Sequence, residues 1–216
     1  MGVELLYRHA DFLVVEKPPG FSVHRDQDGT SALDLARSAS GLDGLHPVHR
    51  LDRLTSGLWL LARHPSAAAE LGRLFAERRI HKTYLALSDH KPLKKQGLIS
   101  GDMEKGRNGC WRLSRERSDP AITRFRSQTV RPGLRLFLLE PHTGRTHQLR
   151  VALKSLGAPI IGDERYGGSP ADRGYLHAWR LEFDWQGEAI RLECPPHHGQ
   201  LWTDIGPALD ALIQGT

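Results

Sequence analysis

Apolar side chains recur along the chain with two different periods, and most of the pattern predicts β-strands. Short runs of β-forming residues, or strict alternation of polar and apolar residues, are typical of strands in a half-buried sheet. Turn sequences such as Arg131-Pro132-Gly133 separate neighbouring runs and predict hairpins. The predicted strands are residues 4–8, 11–16, 57–62, 81–87, 121–130, 134–140, 180–185 and 189–193.

A helical period is visible in four places. Thr30 or Ser31 is a suitable N-cap for a first helix with a partly apolar face, and residues 65–79 carry a stronger apolar stripe. A third helix is predicted to run through Leu149 and to end before Gly157, which suits the left-handed position after a helix. Residues 202–212 predict a terminal helix.

Residues 91–120 show no clear period and predict a loop or an excursion of β-structure. The segment is long for a connection without function. Its cations, with Trp111 among them, suggest contacts to phosphates and a base, whereas a solvated charged hairpin explains them equally well. These cations are Lys91, Lys94, Lys95, Lys105, Arg107, Arg112, Arg115 and Arg117.

Composition restricts the class of protein further. The 216 residues can form one mixed domain, and 30 Lys plus Arg against 25 Asp plus Glu give a formal charge of +5, which suits a polyanionic partner. Cys110 and Cys194 lie far apart and the histidines lack zinc-site spacing, so we expect neither a disulfide scaffold nor a metal. No apolar run is long enough to span a bilayer and no secretory leader is present, so we expect no membrane association and a cytoplasmic location.

One stretch, from His49 to Gly57, places an acid between two arginines and follows it with small residues. Asp52 alternates with Arg50 and is followed directly by Arg53, and nearby positive charge favours an ionised carboxylate. Thr55-Ser56-Gly57 then predicts a turn into the buried strand. On these residues alone an ordinary solvated ion pair explains Asp52 better than catalysis does.

The same stretch resembles the catalytic motif of the RluA-type pseudouridine synthases, His-Arg-Leu-Asp-x-x-Thr-Ser-Gly-Leu, and the acid of that family falls on Asp52. Other motifs of the family are also present and occur in the family's order, so that the resemblance runs from about Asp11 to about Pro195. They are Lys17-Pro18-Pro19-Gly20 with Ser22-Val23-His24, the Lys-x-Tyr-x-Ala motif at Tyr84, the Thr-Gly-Arg-Thr-His-Gln-Leu-Arg motif ending at Arg150, Pro-Ile-x-Gly-Asp-x-x-Tyr-Gly from Pro159, and Leu176-His177-Ala178.

The resemblance implies a fold and an activity. The expected fold is α+β, a mixed and mainly antiparallel sheet with flanking helices, in which residues 1–216 form a single catalytic domain. We expect a short form of the family, without the S4-type RNA-binding module that many members carry in front. The implied activity is isomerisation of specific uridines in ribosomal or transfer RNA to pseudouridine.

The resemblance also implies roles for five residues. Asp52 is the nucleophile or base, Tyr84 stacks on the uracil and assists proton transfer, and Arg150 orients the acid. Arg50 fills the gap left by a flipped-out base, and Leu176 closes the pocket beneath it. Without the motif, Tyr84 would be one more half-buried sheet aromatic and Arg150 a surface helix residue paired with another acid.

The reaction oxidises nothing and transfers no phosphate, so no cofactor is expected, and the partner is RNA bound by a monomer. Two other functions compete with this interpretation. An aspartyl-phosphate phosphatase would need a second Asp two residues after Asp52, where Leu54 stands. A non-catalytic RNA-binding module or assembly factor is the stronger rival, and loss of C5 tritium from labelled uridine RNA distinguishes it from an enzyme.

Overall fold

The computed structural model describes residues 2–23 and 29–214, so His24 of the first motif lies outside the described residues. The helices are α1 (Ala32–Ser40), α2 (Pro65–Ala76), α3 (Gln148–Ser155) and α4 (Gly206–Gln214), with 3₁₀ turns at Arg107–Gly109, Glu164–Tyr166 and Gln200–Trp202. The strands are β1 (Glu4–Arg8), β2 (Phe12–Lys17), β3 (His46–Pro47), β4 (Ser56–Ala62), β5 (His81–Ser88), β6 (Gln96–Gly101), β7 (Met103–Lys105), β8 (Trp111–Leu113), β9 (Ala121–Arg131), β10 (Leu134–Pro141), β11 (Leu176–Trp185) and β12 (Glu188–Glu193).

The chain folds into two compact units, each made of two separate stretches. The first unit comprises Met1–Lys82 and His177–Pro195, and the second comprises Thr83–Leu176 and Pro196–Thr216. Strands in both units are mainly antiparallel, which confirms the predicted α+β class with a mixed, mainly antiparallel sheet.

The first unit is organised around β4. All seven residues of this strand are buried, as its apolar sequence predicts. It pairs antiparallel with β2, from Phe12 opposite Ala62 to Lys17 opposite Gly57, and parallel with the start of β11. Strand β1 continues the order beyond β2, β12 forms a hairpin with β11, and α2 packs on β4.

Gly57 makes the parallel pairing of β4 and β11 possible. Its φ of +101° is a conformation that side chains disfavour, and a Cβ at this position would lie 2.3 Å from the carbonyl oxygen of Ala178. Only a residue without a side chain allows the two backbones to approach this closely. The glycine of the acid-bearing motif therefore has a packing role.

The second unit has the strand order β5-β10-β9-β6, with every pair antiparallel. Helices α3 and α4 pack on β9 and β10. Within the predicted irregular segment 91–120, β6 adds an edge strand to β9, and β7 pairs with β8 in a separate hairpin. The expectation of a β-excursion is thereby confirmed over the loop alternative.

Two predicted helix boundaries are wrong. Helix α2 ends at Ala76 and not at residue 79, because Arg78 adopts a left-handed φ of 59°. Helix α4 begins at Gly206 and not at residue 202, since a helix from Trp202 would hold Pro207 in its interior, where proline lacks the hydrogen-bonding N–H. Among residues 2–23 and 29–214, no helix combines the length and hydropathy needed to cross a bilayer.

Candidate active site

Asp52 lies on a tight turn that leads into β4. The amide of Thr55 donates to the carbonyl of Asp52 at 3.0 Å, so Arg53 and Leu54 form the turn. The predicted turn at Thr55-Ser56-Gly57 is wrong, because Ser56 and Gly57 already pair with His177 and Ala178 in the sheet. The acid is thus held directly before a buried strand.

Burial alternates around the acid as the sequence predicts. Leu51 is buried with 6 % of its surface exposed, whereas Arg50 and Arg53 are exposed on either side. Asp52 itself is half-buried. Asp52 therefore lies at the boundary between core and solvent, on a turn that Leu51 anchors in the core.

Lys17 supports this turn from inside the first unit. Its side chain is fully buried, and Nζ donates to the carbonyl oxygens of Pro18 and Thr55 at 2.8 Å and of Arg53 at 3.4 Å. A buried ammonium is stable only when hydrogen bonds replace its hydration. The lysine of the first motif thus fixes the backbone that follows Asp52.

Gly20 adds a second connection between the first motif and the turn. Its amide donates to the carbonyl of Arg53 at 2.8 Å, and Arg53 Nε donates back to the carbonyl of Gly20 at 2.8 Å. Arg53 therefore has a structural role, in which its guanidinium holds the loop of the first motif against the acid-bearing turn.

His49, three residues before the acid, is held as a neutral acceptor. Its Nε2 accepts a hydrogen bond from the amide of Leu60 at 3.0 Å, and its ring stacks on Phe75 with centroids 4.7 Å apart. Burial, aided by the nearby charge of Lys82, lowers the pKa of His49 to about 3. The imidazole thus links the acid-bearing loop to β4, because it accepts the hydrogen bond that the amide of Leu60 would otherwise donate to a neighbouring strand.

His177 closes the other end of β4. Its Nε2 donates to the carbonyl of Cys194 at 2.6 Å, so Nδ1 accepts from the hydroxyl of Ser56 at 2.7 Å. The ring is buried, with 1 % of its surface exposed. The histidine of the Leu-His-Ala element therefore fixes the first residue of β4.

Tyr84 and Leu176 belong to the second unit. Tyr84 lies on β5 opposite Leu139 of β10 and is 9 % exposed. Leu176, 2 % exposed, is the first residue of β11. Both side chains are therefore fixed by the surrounding fold.

Arg150 projects from α3 and is buried, so the alternative interpretation is wrong in placing it at the surface, but it is right that Arg150 pairs with an acid other than Asp52. Its Nε and Nη2 donate to the two carboxylate oxygens of Asp163 at 2.8 and 2.7 Å. The side chains are only 8 % and 1 % exposed. Such a bidentate salt bridge fixes the plane of the guanidinium.

Tyr166 completes the surroundings of Arg150. The guanidinium lies 4.8 Å from the centre of its ring. The phenol oxygen accepts from the amide of Trp111 at 3.0 Å and lies 2.8 Å from His147 Nδ1, and burial raises the pKa of Tyr166. Tyr166 therefore connects Arg150 to the β7–β8 hairpin.

Sequence reasoning assigned no role to Asp163, Tyr166, Lys17 or His49. All four lie within the quoted motifs, so the resemblance singled out their positions but not their partners. Gln148 is a similar case, since its amide nitrogen donates to the carbonyl of Ile122 and its amide oxygen accepts from the Thr143 hydroxyl and the Arg145 amide. These contacts attach the start of α3 to β9.

Comparison with known proteins gives a consistent result. Residues 11–155 match the model of a family described as RNA pseudouridylate synthase. A protein of Haemophilus influenzae named as an RNA pseudouridine synthase is 52 % identical over 216 residues, which cover 99 % of this chain and 96 % of that protein. The ribosomal large subunit pseudouridine synthase C of Escherichia coli K12 is 36 % identical over 90 % of this chain and 67 % of its own length.

Solved structures agree with the sequence relatives. The human RNA pseudouridylate synthase domain containing 1 has a TM-score of 0.77 at 27 % identity, covering 99 % of this chain and 94 % of the human chain. The human domain containing 4 has a TM-score of 0.74 at 27 % identity, covering 90 % and 89 %. Sequence and fold thus point to the same group of proteins.

Proposed function

This chain belongs to the RNA pseudouridylate synthase family and is therefore an RNA-modifying isomerase. We propose that its substrate is ribosomal or transfer RNA and that Asp52 is its catalytic nucleophile or base. The name of the Escherichia coli relative, a large-subunit pseudouridine synthase, favours ribosomal RNA of the large subunit as the first substrate to test. The position of Asp52 supports the proposal, because this residue is half-buried on a turn that Lys17, Arg53 and Leu51 hold in place.

The reaction breaks the bond from ribose C1′ to uracil N1 and forms a bond from C1′ to C5. C5 loses its proton and N1 gains one, so the atoms balance without an oxidant or a phosphoryl donor. The ionised carboxylate of Asp52 would attack the ribose, add to the pyrimidine ring or remove the 2′ hydrogen of the ribose, and each route requires it as nucleophile or base.

Tyr84 and Arg150 would assist the acid. Tyr84 offers an aromatic face to the uracil and a phenol for proton transfer at C5. Arg150 would orient the carboxylate of Asp52, and the pair with Asp163 supports this role by removing the freedom of the guanidinium in advance.

Arg50 and Leu176 would handle the flipped base. Extruding a uridine costs a few kcal/mol, least where the base is unpaired, so the preferred target lies in a loop or bulge. Arg50 is exposed and long enough to fill the vacated space, whereas Leu176 is buried and would close the pocket below the base.

We also propose that residues 1–216 act as a single catalytic domain, as a monomer without metal, in the cytoplasm. A single cooperative urea transition and a monomer mass in solution would support the first two points. Full activity after treatment with a chelator would support the third.

The test measures tritium released from large-subunit ribosomal RNA transcribed with C5-tritiated uridine. Wild-type protein should release tritium, and Asp52→Asn should release at least 1000-fold less while binding RNA equally well, because the amide keeps the shape but is neither nucleophile nor base. If Asp52→Asn stays within tenfold of wild type, the mechanism is wrong. If wild-type protein binds RNA but releases no tritium from ribosomal or transfer RNA, the alternative of a binding module prevails.

A further inference from the structure

The second unit carries a cationic surface that the proposed chemistry does not use. It is formed by the β7–β8 hairpin, the exposed side of α3 and the 3₁₀ turn that follows. Four of its side chains are exposed cations, and a half-buried tryptophan lies among them. We call it the Trp111 surface, and its members are Lys105, Arg107, Trp111, Lys154 and Arg165.

Direct contacts hold this surface together. Lys105 Nζ lies 6.0 Å from the centre of the Trp111 ring, and Lys154 Nζ lies 5.9 Å from the centre of the Tyr166 ring. Arg165 donates to the carbonyl of Gly109 in the hairpin at 3.4 Å. The cations are therefore presented by a connected framework.

Neighbouring acids are mostly engaged elsewhere. Glu104 pairs with Arg112 at 2.8 Å, and Asp163 is occupied by Arg150. Asp119 pairs with Arg145. Of the acids in these segments, Glu164 is exposed beside Arg165 and offsets one charge, so the Trp111 surface keeps a positive excess.

We propose that the Trp111 surface binds an unpaired strand of the substrate RNA, with phosphates at its cations and one base at Trp111. This inference rests on the proposed function, because it assigns part of the same RNA to this surface. Cations with an interleaved aromatic ring are the combination that binds single strands, since every base has a face that can stack.

The position of Tyr166 gives this binding a consequence for the reaction. Its hydroxyl accepts the amide of Trp111, while its ring lies against Arg150. A strand held at Trp111 is therefore held at a fixed distance from Arg150. The Trp111 surface would select RNAs in which an unpaired strand follows or precedes the target uridine.

The first experiment measures the salt dependence of RNA affinity in the Asp52→Asn background, where no turnover interferes. The probe is a short hairpin RNA with a uridine-rich single-stranded extension. Lys105→Gln/Arg107→Gln should lower the slope of log K against log salt by about 1.4 and weaken binding about 25-fold at 0.1 M salt, since each phosphate contact to a single strand contributes about 0.7 to the slope.

The matched control removes the same charge elsewhere. Arg131 is at the far end of β9, about 33 Å along an 11-residue strand from the end that pairs with Gly101 before the hairpin. Arg191 is exposed on β12. Arg131→Gln/Arg191→Gln should change neither the slope nor the affinity by more than twofold. Equal effects of the two double variants would overturn the proposal, because RNA affinity would then depend on the net charge of the protein and not on the position of the cations.

The second experiment uses the tryptophans as probes. Trp59, Trp179, Trp185 and Trp202 are all at most 4 % exposed, so Trp111 is the accessible one of the five. The hairpin RNA should quench the fluorescence of Asp52→Asn, and Trp111→Phe should remove that quenching. Quenching that persists in Trp111→Phe, or no quenching at all, would overturn the stacking.

The tritium assay separates failure of this inference from failure of the proposed function. If wild-type protein releases tritium while Lys105→Gln/Arg107→Gln keeps the same kcat/KM and affinity, the function stands and the Trp111 surface is wrong. If no protein releases tritium but the salt slope and quenching change as expected, the surface binds RNA and the isomerase mechanism is wrong.

Discussion

Replacing Lys17 by Met tests how the acid-bearing turn is held. Met has a similar length but offers no hydrogen bond to the three carbonyls that Nζ now reaches. The carbonyl of Arg53 keeps the amide of Gly20 as a donor, whereas Pro18 and Thr55 lose the bond from Nζ. Two buried acceptors are thus left without it.

The expected cost follows from these two acceptors. Each unsatisfied buried carbonyl costs about 1–3 kcal/mol, which gives about 2–6 kcal/mol in total. Part of this is returned, because Met does not require the desolvation of an ammonium. We therefore expect the free energy of unfolding to fall by about 2 kcal/mol, and kcat to fall about 100-fold because a small displacement of Asp52 misaligns it.

Urea unfolding followed by circular dichroism measures the first quantity, and tritium release measures the second. Lys91→Met, at an exposed lysine, is the matched control and should change stability by less than about 0.5 kcal/mol with unchanged kcat. A Lys17→Met protein as stable and as active as this control would refute the view that Lys17 positions the turn.

Three further predictions follow from the other contacts. Asp163→Asn should cost about 3 kcal/mol in urea unfolding, because it leaves the charge of Arg150 buried beside a neutral amide, and it should lower kcat more than it raises KM. Gly57→Ala should destabilise by more than about 2 kcal/mol through its left-handed backbone and its collision with Ala178, whereas Gly72→Ala, with open space in α2, should stabilise by about 0.5–1 kcal/mol. The pKa of His49 is about 3 in the folded protein and 6.5 in the unfolded chain, so between these values only the unfolded chain binds the proton. The free energy of unfolding should therefore be complete above pH 6.5 and fall as the pH is lowered toward 3. In His49→Gln this free energy should fall less between pH 6.5 and 3, and equal pH dependence in the two proteins would contradict the prediction.

Local patterns were sufficient for most of the secondary structure. Ser31 caps α1 with a reciprocal bond to Asp34, and Gly157 has the left-handed φ of 72° expected just after α3. The alternation of residues 121–130 and 134–140 placed β9 and β10 within one residue of their bounds. The contacts of the α1 cap lie a few residues apart, and the alternation along β9 and β10 is itself a local pattern, which is why the sequence predicts these elements.

Partners distant in sequence were beyond this reasoning. Lys17 belongs to a loop motif, where a lysine is ordinarily exposed, and its burial follows from carbonyls at positions 53 and 55. The carboxylate that holds Arg150 lies 13 residues further along, after a change of direction at Gly162. The sequence wrongly predicted a turn at residues 55–57, because Ser56 pairs with His177, a residue too distant in sequence for a local pattern to reveal.

That pairing also constrains how the protein is made. The first unit contains residues on both sides of the stretch Thr83–Leu176, so it remains incomplete until Pro195 has been synthesised. At about 5–20 residues per second, β4 waits on the ribosome for about 6–23 s before its parallel partner β11 has been translated. During that interval the apolar run from Leu58 to Ala62 lacks one neighbour, which makes nascent or prematurely terminated chains natural clients for chaperones and proteases.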